Sequence, residues 1–298
     1  MYKQLSYQLF AKDRSMKHIS VSIAMTLCSF SAAYGVTFPE YGSSFHQPVP
    51  VADEFMASYN FEGIVALNNC SGSIVRFDDS EGSDQAMVLT NGHCVKLISP
   101  GVVMKNQAAN RTFTVLSPTA SKLGTVRATK LIYATMTKTD AALYLLQETY
   151  DEIDQKYNTE PLTLSRTKPA VGMDVEVISG YWKRGYSCSF ESTVYQLKED
   201  NWLMEGSMRY SRPGCEIIGG TSGSPVLEAG TRTVVAVNNT INESGQKCTM
   251  NNPCEVDANG KISYQKGYGY AQQTYWFYSC RNEQGVIDTN VKGCLLPQ

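Results

Sequence analysis

Leu89-Thr90-Asn91-Gly92-His93-Cys94 is the stretch on which the reading of this chain turns. A histidine beside a cysteine closes an apolar run, which describes a strand delivering an imidazole to a loop. Further on, Thr139-Asp140-Ala141-Ala142-Leu143 sets an aspartate at the start of a second apolar strand. Later still, Gly219-Gly220-Thr221-Ser222-Gly223-Ser224-Pro225 sets a serine between glycines. A serine hydroxyl is a poor nucleophile near neutral pH. It needs an imidazole to take its proton and a carboxylate to orient that imidazole. All three groups are present, in the order His93, Asp140, Ser222.

Around these motifs the chain is written in short strands. Segments rich in β-branched and aromatic residues recur at Ile64–Leu67, Ser73–Phe77, Ala86–Leu89, Thr112–Leu116, Val126–Tyr133 and Ala141–Leu146. Gly, Asn, Asp and Ser clusters punctuate them, which suits an all-β barrel or sandwich better than alternating strands and helices. Residues 147–172 are polar, acidic at Glu148–Asp154 and interrupted by Pro161 and Pro169, so they mark the inner boundary. A second series follows at Asp174–Ser179, Phe190–Leu197, Trp202–Ser207, Pro225–Glu228 and Thr233–Val237. Two β units are expected, over 61–160 and 161–298. His93 and Asp140 then lie in the first and Ser222 in the second, with the site in the cleft between them.

The N-terminus has the pattern of an export signal. Lys17 and His18 precede the apolar run Ile19–Phe30, then Ser31, Ala32 and Ala33, with Met16 a candidate true start. Residues 1–35 are expected to be a signal peptide and 36–60 a propeptide or an N-terminal arm. Removing the signal removes Cys28 and leaves eight of nine cysteines, and an even number in an exported chain indicates disulfides. Eight cysteines allow 105 pairings. One histidine beside one cysteine is too little for a metal, and no cofactor is expected. A net charge of -2 over 298 residues argues against nucleic acid or an anionic membrane as a partner held by bulk charge. The expected localisation is extracellular or periplasmic, as a monomer with no membrane attachment once the signal is gone.

The three motifs resemble those of chymotrypsin-like serine peptidases, nearest the bacterial trypsin-like and glutamyl-endopeptidase-like branch. The family's apolar strand, Thr or Ala, small residue and His-Cys resembles Val88–Cys94, its Asp-x-Ala-Leu is met by Asp140–Leu143, and its Gly-x-Ser-Gly-(Gly/Ser)-Pro by Gly220–Pro225. Asn69-Cys70-Ser71-Gly72-Ser73-Ile74-Val75 resembles the strand whose cysteine bonds the one beside the histidine. The resemblance implies two six-stranded antiparallel β-barrels of the chymotrypsin type. It implies a secreted serine endopeptidase working through an acyl-enzyme on protein or peptide substrates. Ser222 would be the nucleophile, His93 the base and then acid, and Asp140 the orienting carboxylate. Backbone N–H groups of Gly220 and Ser222 would form the oxyanion hole. Ser224 is a competing nucleophile two positions late. Thr221 departs from the digestive enzymes, which place an aspartate there to pair with a new N-terminus.

The same resemblance pairs Cys70 with Cys94 and Cys188 with Cys215; of the remaining four, Cys248–Cys254 is expected to close a very short loop and Cys280–Cys294 to tether the C-terminal tail. It also puts Glu216, six residues before the nucleophile, at the floor of the specificity pocket, where a carboxylate would favour Lys or Arg before the scissile bond. A surface glutamate in a shifted loop is the alternative. Glutamyl-specific members use a histidine on the pocket's wall strand, and this chain has Asn238 there instead. Two rival functions remain. One is a secreted binding protein that keeps the fold without turnover. The other is an esterase or acyltransferase of another fold, against which the order His, Asp, Ser already speaks.

Overall fold

The computed structural model describes residues 59–298, and the expected signal peptide and most of the leader, including His46 and Cys28, lie outside the described residues. The first barrel is built from β1 (Ile64–Ala66), β2 (Ser71–Arg76), β3 (Gln85–Thr90), β4 (Val103–Ala108), β5 (Thr112–Leu116), β6 (Lys122–Thr135) and β7 (Ala141–Thr149). Its pairing order β1-β5-β6-β7-β3-β2 closes when β2 pairs back to β1, and β4 lies alongside β6. A single helical turn, α1 (Gly92–Val95), follows β3.

A short connector carries α2 (Tyr150–Tyr157) and β8 (Leu162–Leu164). The α2 segment reads as polar linker, but Thr149 and Glu152 form a capping box: the Thr149 hydroxyl accepts the Glu152 N–H, and the Glu152 carboxylate accepts the Thr149 N–H. β8 runs parallel to β2 on one side and to β15 (Thr233–Ile241) on the other, which joins the barrels edge to edge.

The second barrel closes in the same way. Its strands are β9 (Asp174–Ser179), β10 (Arg184–Thr193), β13 (Met208–Tyr210), β14 (Pro225–Glu228), β15 and β18 (Gly269–Gln273). Pairings β15-β14-β9-β10-β13-β18 are completed by β18 on β15. Alternation puts Val175, Val177, Phe190, Tyr210, Val226 and Val235 inside. Both barrels are thus six-stranded and antiparallel, as the resemblance implies.

Between β10 and β13 the chain makes an excursion, β11 (Gln196–Glu199) and β12 (Trp202–Glu205). This hairpin pairs with β16 (Cys254–Val256) and β17 (Ile262–Ser263) into a separate four-stranded sheet. The excursion leans on the first barrel: Trp202 Nε1–H donates to the Ile98 carbonyl at 2.7 Å, and Leu197, Trp202 and Met204 join the core around Ile98 and Met136. Backbone bonds link Lys138 to Leu203 and Glu205. This sheet therefore stands two residues from Asp140.

After α3 (Trp276–Ser279), the tail returns to the first barrel. Tyr133 packs edge-on to Phe277, and its hydroxyl donates to the Pro297 carbonyl. Arg281 grips Asp79, while Arg166 grips Asp78 with two bonds of 2.6 and 2.7 Å. Four disulfides join Cys70–Cys94, Cys188–Cys215, Cys248–Cys254 and Cys280–Cys294.

Candidate active site

The loop bearing His93 is held from three sides. Cys94 is bonded to Cys70, Arg111 donates to the Cys94 carbonyl at 2.6 Å, and Asn91 is buried with its amide on the Asp140 carbonyl at 2.8 Å. Gly92 is required by close approach, because a side chain there would overlap the Thr135 carbonyl. Asp140, 2% exposed at the head of β7, binds His93 twice. Its Oδ1 accepts the His93 backbone N–H at 3.0 Å, and its Oδ2 bonds Nδ1 at 2.6 Å. A carboxylate only accepts, so Nδ1 carries the proton and Nε2 is left with its lone pair. Burial works against a charged imidazole, but the charge and hydrogen bond of Asp140, with a smaller push from Glu199, outweigh it. The His93 pKa is raised above its ordinary 6.5.

Ser222 sits in a loop whose carbonyls are all occupied. Ile218 O accepts the N–H and hydroxyl of Thr221; Gly219 O accepts Trp182 Nε1–H at 2.7 Å; Gly220 O accepts the Ser71 hydroxyl at 3.4 Å. Thr221 O accepts Ser224 Oγ and Asn238 Nδ2, and Ser222 O accepts the Ser71 N–H at 2.8 Å. Among the described residues, the N–H groups of Gly220 and Ser222 donate to no protein acceptor. Gly220 has φ +88, and a Cβ there would press on Trp182 and Tyr181 at 2.9 Å. A peptide held by its carbonyls presents its N–H groups to an outside oxygen.

His93, Asp140 and Ser222 line one cleft of about 130 Å³. The Ser222 hydroxyl donates to the Asn239 carbonyl at 3.1 Å, and no hydrogen bond joins it to His93. Unliganded sites commonly hold such bonds open until substrate arrives. Leu97, Ile218 and Met250 stand exposed at the rim of the same cleft.

The two expected specificity residues lie elsewhere. Glu216 is exposed, its carboxylate accepts the Gly214 N–H at 3.2 Å, and it borders a neighbouring surface depression. The cause is alternation along an extended chain: Cys215 is turned inward by its bond to Cys188, Glu216 points out, and Ile217 turns in at 2% exposure. The cleft wall at this point is apolar. Asn238 is fully buried, bonded to the Tyr210 hydroxyl and to Thr221, and it props the serine loop from behind. Ser224 is likewise buried, its hydroxyl spent on the Thr221 carbonyl at 2.6 Å.

Glu199 is a cleft residue that the sequence does not single out. It ends β11, is 8% exposed, and lines the cleft with His93 and Asp140. Burial pushes its pKa up, against the pull of hydrogen bonds from Thr240 and Asn251 and of the nearby imidazole. Its local wording, Lys198-Glu199-Asp200-Asn201, is that of a solvated turn. Cys70 and Cys94 also bring their sulfurs near His93, but both are consumed in a disulfide and offer no thiolate to a metal.

A closed pair of antiparallel barrels, with histidine and aspartate on one and a glycine-flanked serine on the other, defines the chymotrypsin-like architecture. The chain belongs to the trypsin-like peptidase domain family, which it matches over residues 70–237. Solved structures similar to it include the MamO protease domain from Magnetospirillum magneticum, at 15% identity and TM-score 0.42, covering 72% of this chain and 92% of that one. Nocardiopsis protease is similar at 13% identity and TM-score 0.43, over 72% and 92% of the two chains. Thermobifida fusca protease A is similar at 16% identity and TM-score 0.40, over 72% and 91%. No curated protein matches the chain.

Proposed function

We propose that this protein is an exported serine endopeptidase. The observation that carries the reading is the contrast within residues 218–222: every carbonyl is occupied, while the N–H groups of Gly220 and Ser222 find no acceptor among the described residues. Ser222 and its neighbours Gly219 and Thr221 line the cleft that also holds the Asp140–His93 pair. Ser222 Oγ attacks the scissile carbonyl as its proton passes to His93 Nε2, and Asp140 steadies the imidazolium. The carbonyl oxygen becomes an oxyanion between the two N–H groups, each worth about 3 kcal/mol in such sites. The imidazolium then gives its proton to the departing amine. A water, deprotonated by the same imidazole, releases the acyl group and restores the serine.

Export is supported by the oxidised state of all eight cysteines among the described residues and by the signal-like wording of Lys17–Ala33. Among the described residues, no helix is long and apolar enough to cross a membrane. The N-terminal sequence of the mature protein recovered outside the cytoplasm tests both the signal and the propeptide.

A fluorophosphonate probe and casein test the chemistry. The wild type is expected to label at Ser222 and to hydrolyse casein; Ser222→Ala loses both, on the order of 10⁶-fold in turnover, with the fold retained. The second reading is a binding protein on a peptidase fold. It is favoured by the Ser222 hydroxyl resting on Asn239 instead of His93. Absence of labelling by the folded wild type would establish that reading.

A further inference from the structure

The buried carboxylate of Glu199 has no part in the acyl-transfer steps above. It stands in the cleft at 8% exposure, and its Oε1 accepts the Asn251 N–H at 2.8 Å. No Lys or Arg forms an ion pair with it among the described residues. A glutamine would serve the Asn251 N–H equally well without the desolvation cost of a charge. A carboxylate held in an apolar surround is an arrangement that a cation from outside can complete.

The rest of the cleft has the same bias. Among the described residues its acids are Asp140, Glu199 and Glu243, and no Lys or Arg lines it. Asp140 is engaged by His93, and Glu243 is exposed to water, so Glu199 is the desolvated charge that an incoming group can meet. Met136, Trp202 and Met204, all buried, supply apolar surface beside it. Apolar wall ending in a carboxylate is the complement of an aliphatic stem ending in a cation.

The wall is also built to hold this carboxylate in place. Glu199 lies on the separate four-stranded sheet, whose Trp202 is tied to Ile98 in the first barrel. Asn251 belongs to the loop closed by Cys248–Cys254, and the Asp200 N–H bonds the Cys248 carbonyl at 2.9 Å. The carboxylate is therefore fixed from both sides.

We propose that Glu199 forms a recognition subsite for a Lys or Arg side chain of the peptide substrate, at a position the cleft binds beside the scissile bond. This rests on the peptidase reading of the same cleft, and it moves basic preference from Glu216 to a residue on a different sheet.

The test uses the full-length mature protein in two arms. In the first, a peptide library is cleaved by the wild type, Glu199→Gln and Glu243→Gln. The wild type is expected to prefer Lys and Arg at one position. Glu199→Gln keeps the Asn251 bond and loses that preference about 10- to 100-fold in kcat/KM relative to neutral side chains. Glu243→Gln changes it less than about threefold, as for a solvent-exposed charge. In the second arm, Ser222→Ala and Ser222→Ala/Glu199→Gln are titrated with a Lys-containing peptide and its norleucine analogue. The single variant is expected to favour Lys by the same factor and the double variant to favour neither, whether or not the protein turns over substrate. Equal binding of both peptides by Ser222→Ala, or a basic preference that survives Glu199→Gln, overturns the subsite. Fluorophosphonate labelling of the wild type reports separately on the peptidase reading.

Discussion

Replacing Trp182 with phenylalanine removes one hydrogen bond from the loop that carries Ser222, and that bond governs the direction of an N–H group. Trp182 Nε1–H holds the Gly219 carbonyl at 2.7 Å. The peptide between Gly219 and Gly220 is planar and trans, so fixing its C=O on one side aims the Gly220 N–H at the other. The indole is 49% exposed, which makes the bond an ordinary one, worth about 1 kcal/mol net. Losing it lowers the ratio of correctly turned to reversed peptide by roughly fivefold, while Ser71 on Gly220 O and Thr221 on Ile218 O still hold the neighbouring carbonyls. Complete reversal of the peptide would cost the whole donor, about 10²–10³ in kcat. Phenylalanine preserves the edge-on contact with Tyr181, whose ring centroid lies 5.0 Å away. The expected result is a fall of about two- to fivefold in kcat, with KM within twofold and the fluorophosphonate labelling rate falling in parallel. The assay is single-turnover acylation together with thermal unfolding. An unchanged acylation rate in the folded variant would refute the reasoning, because the indole would then be holding structure and not the oxyanion donor.

Other outcomes follow from the same geometry. Asp140→Asn keeps a carbonyl for the His93 backbone N–H but no longer holds the imidazole in the required tautomer; kcat is expected to fall about 10⁴-fold with the fold intact, as kinetics and near-UV circular dichroism would show. The raised His93 pKa keeps the imidazole protonated to higher pH, so kcat/KM is expected to rise with pH through a midpoint above 6.5, and Glu199→Gln to move that midpoint down. The stability linked to His93 has the opposite sense: it is fully present below the unfolded-state value and lost as pH rises through the raised folded value. Replacing Cys70 and Cys94 by serine opens a loop with sequence separation 24 and is expected to cost about 3 kcal/mol in urea unfolding, with a larger loss of activity because α1 carries His93.

Much of the fold is legible in short-range pattern. Thr112–Leu116, Asp174–Ser179 and Pro225–Glu228 are strands with the bounds expected from their composition and flanking turn residues. What escapes are elements that owe their existence to remote partners. β8 has three residues and becomes a strand because β2 and β15 flank it. β12 lies within the expected strand Trp202–Ser207, but its separation into a second sheet is not legible, because β16 reaches the hairpin from more than fifty residues downstream. The α2 capping box was readable in Thr149-x-x-Glu152 but was hidden by the acidity of the segment.

The site divides along the same line. His93, Asp140 and Ser222 are each announced by their immediate neighbours, because strand ends and glycine turns impose local requirements that residue types express directly. The amino-acid sequence by itself therefore determined the all-β class, the order of the three groups and the candidates for each role, and the resemblance of its motifs supplied the two barrels. Only the tertiary structure decided that Glu216 points to solvent while Ile217 faces inward, since that orientation follows from where Cys188 anchors Cys215. Only the tertiary structure buried Glu199, since its desolvation comes from the Cys248–Cys254 loop and the first barrel closing over a turn that its own neighbours would leave in water. Side-chain direction and burial are properties of the assembled surface, and no short stretch of chain contains them.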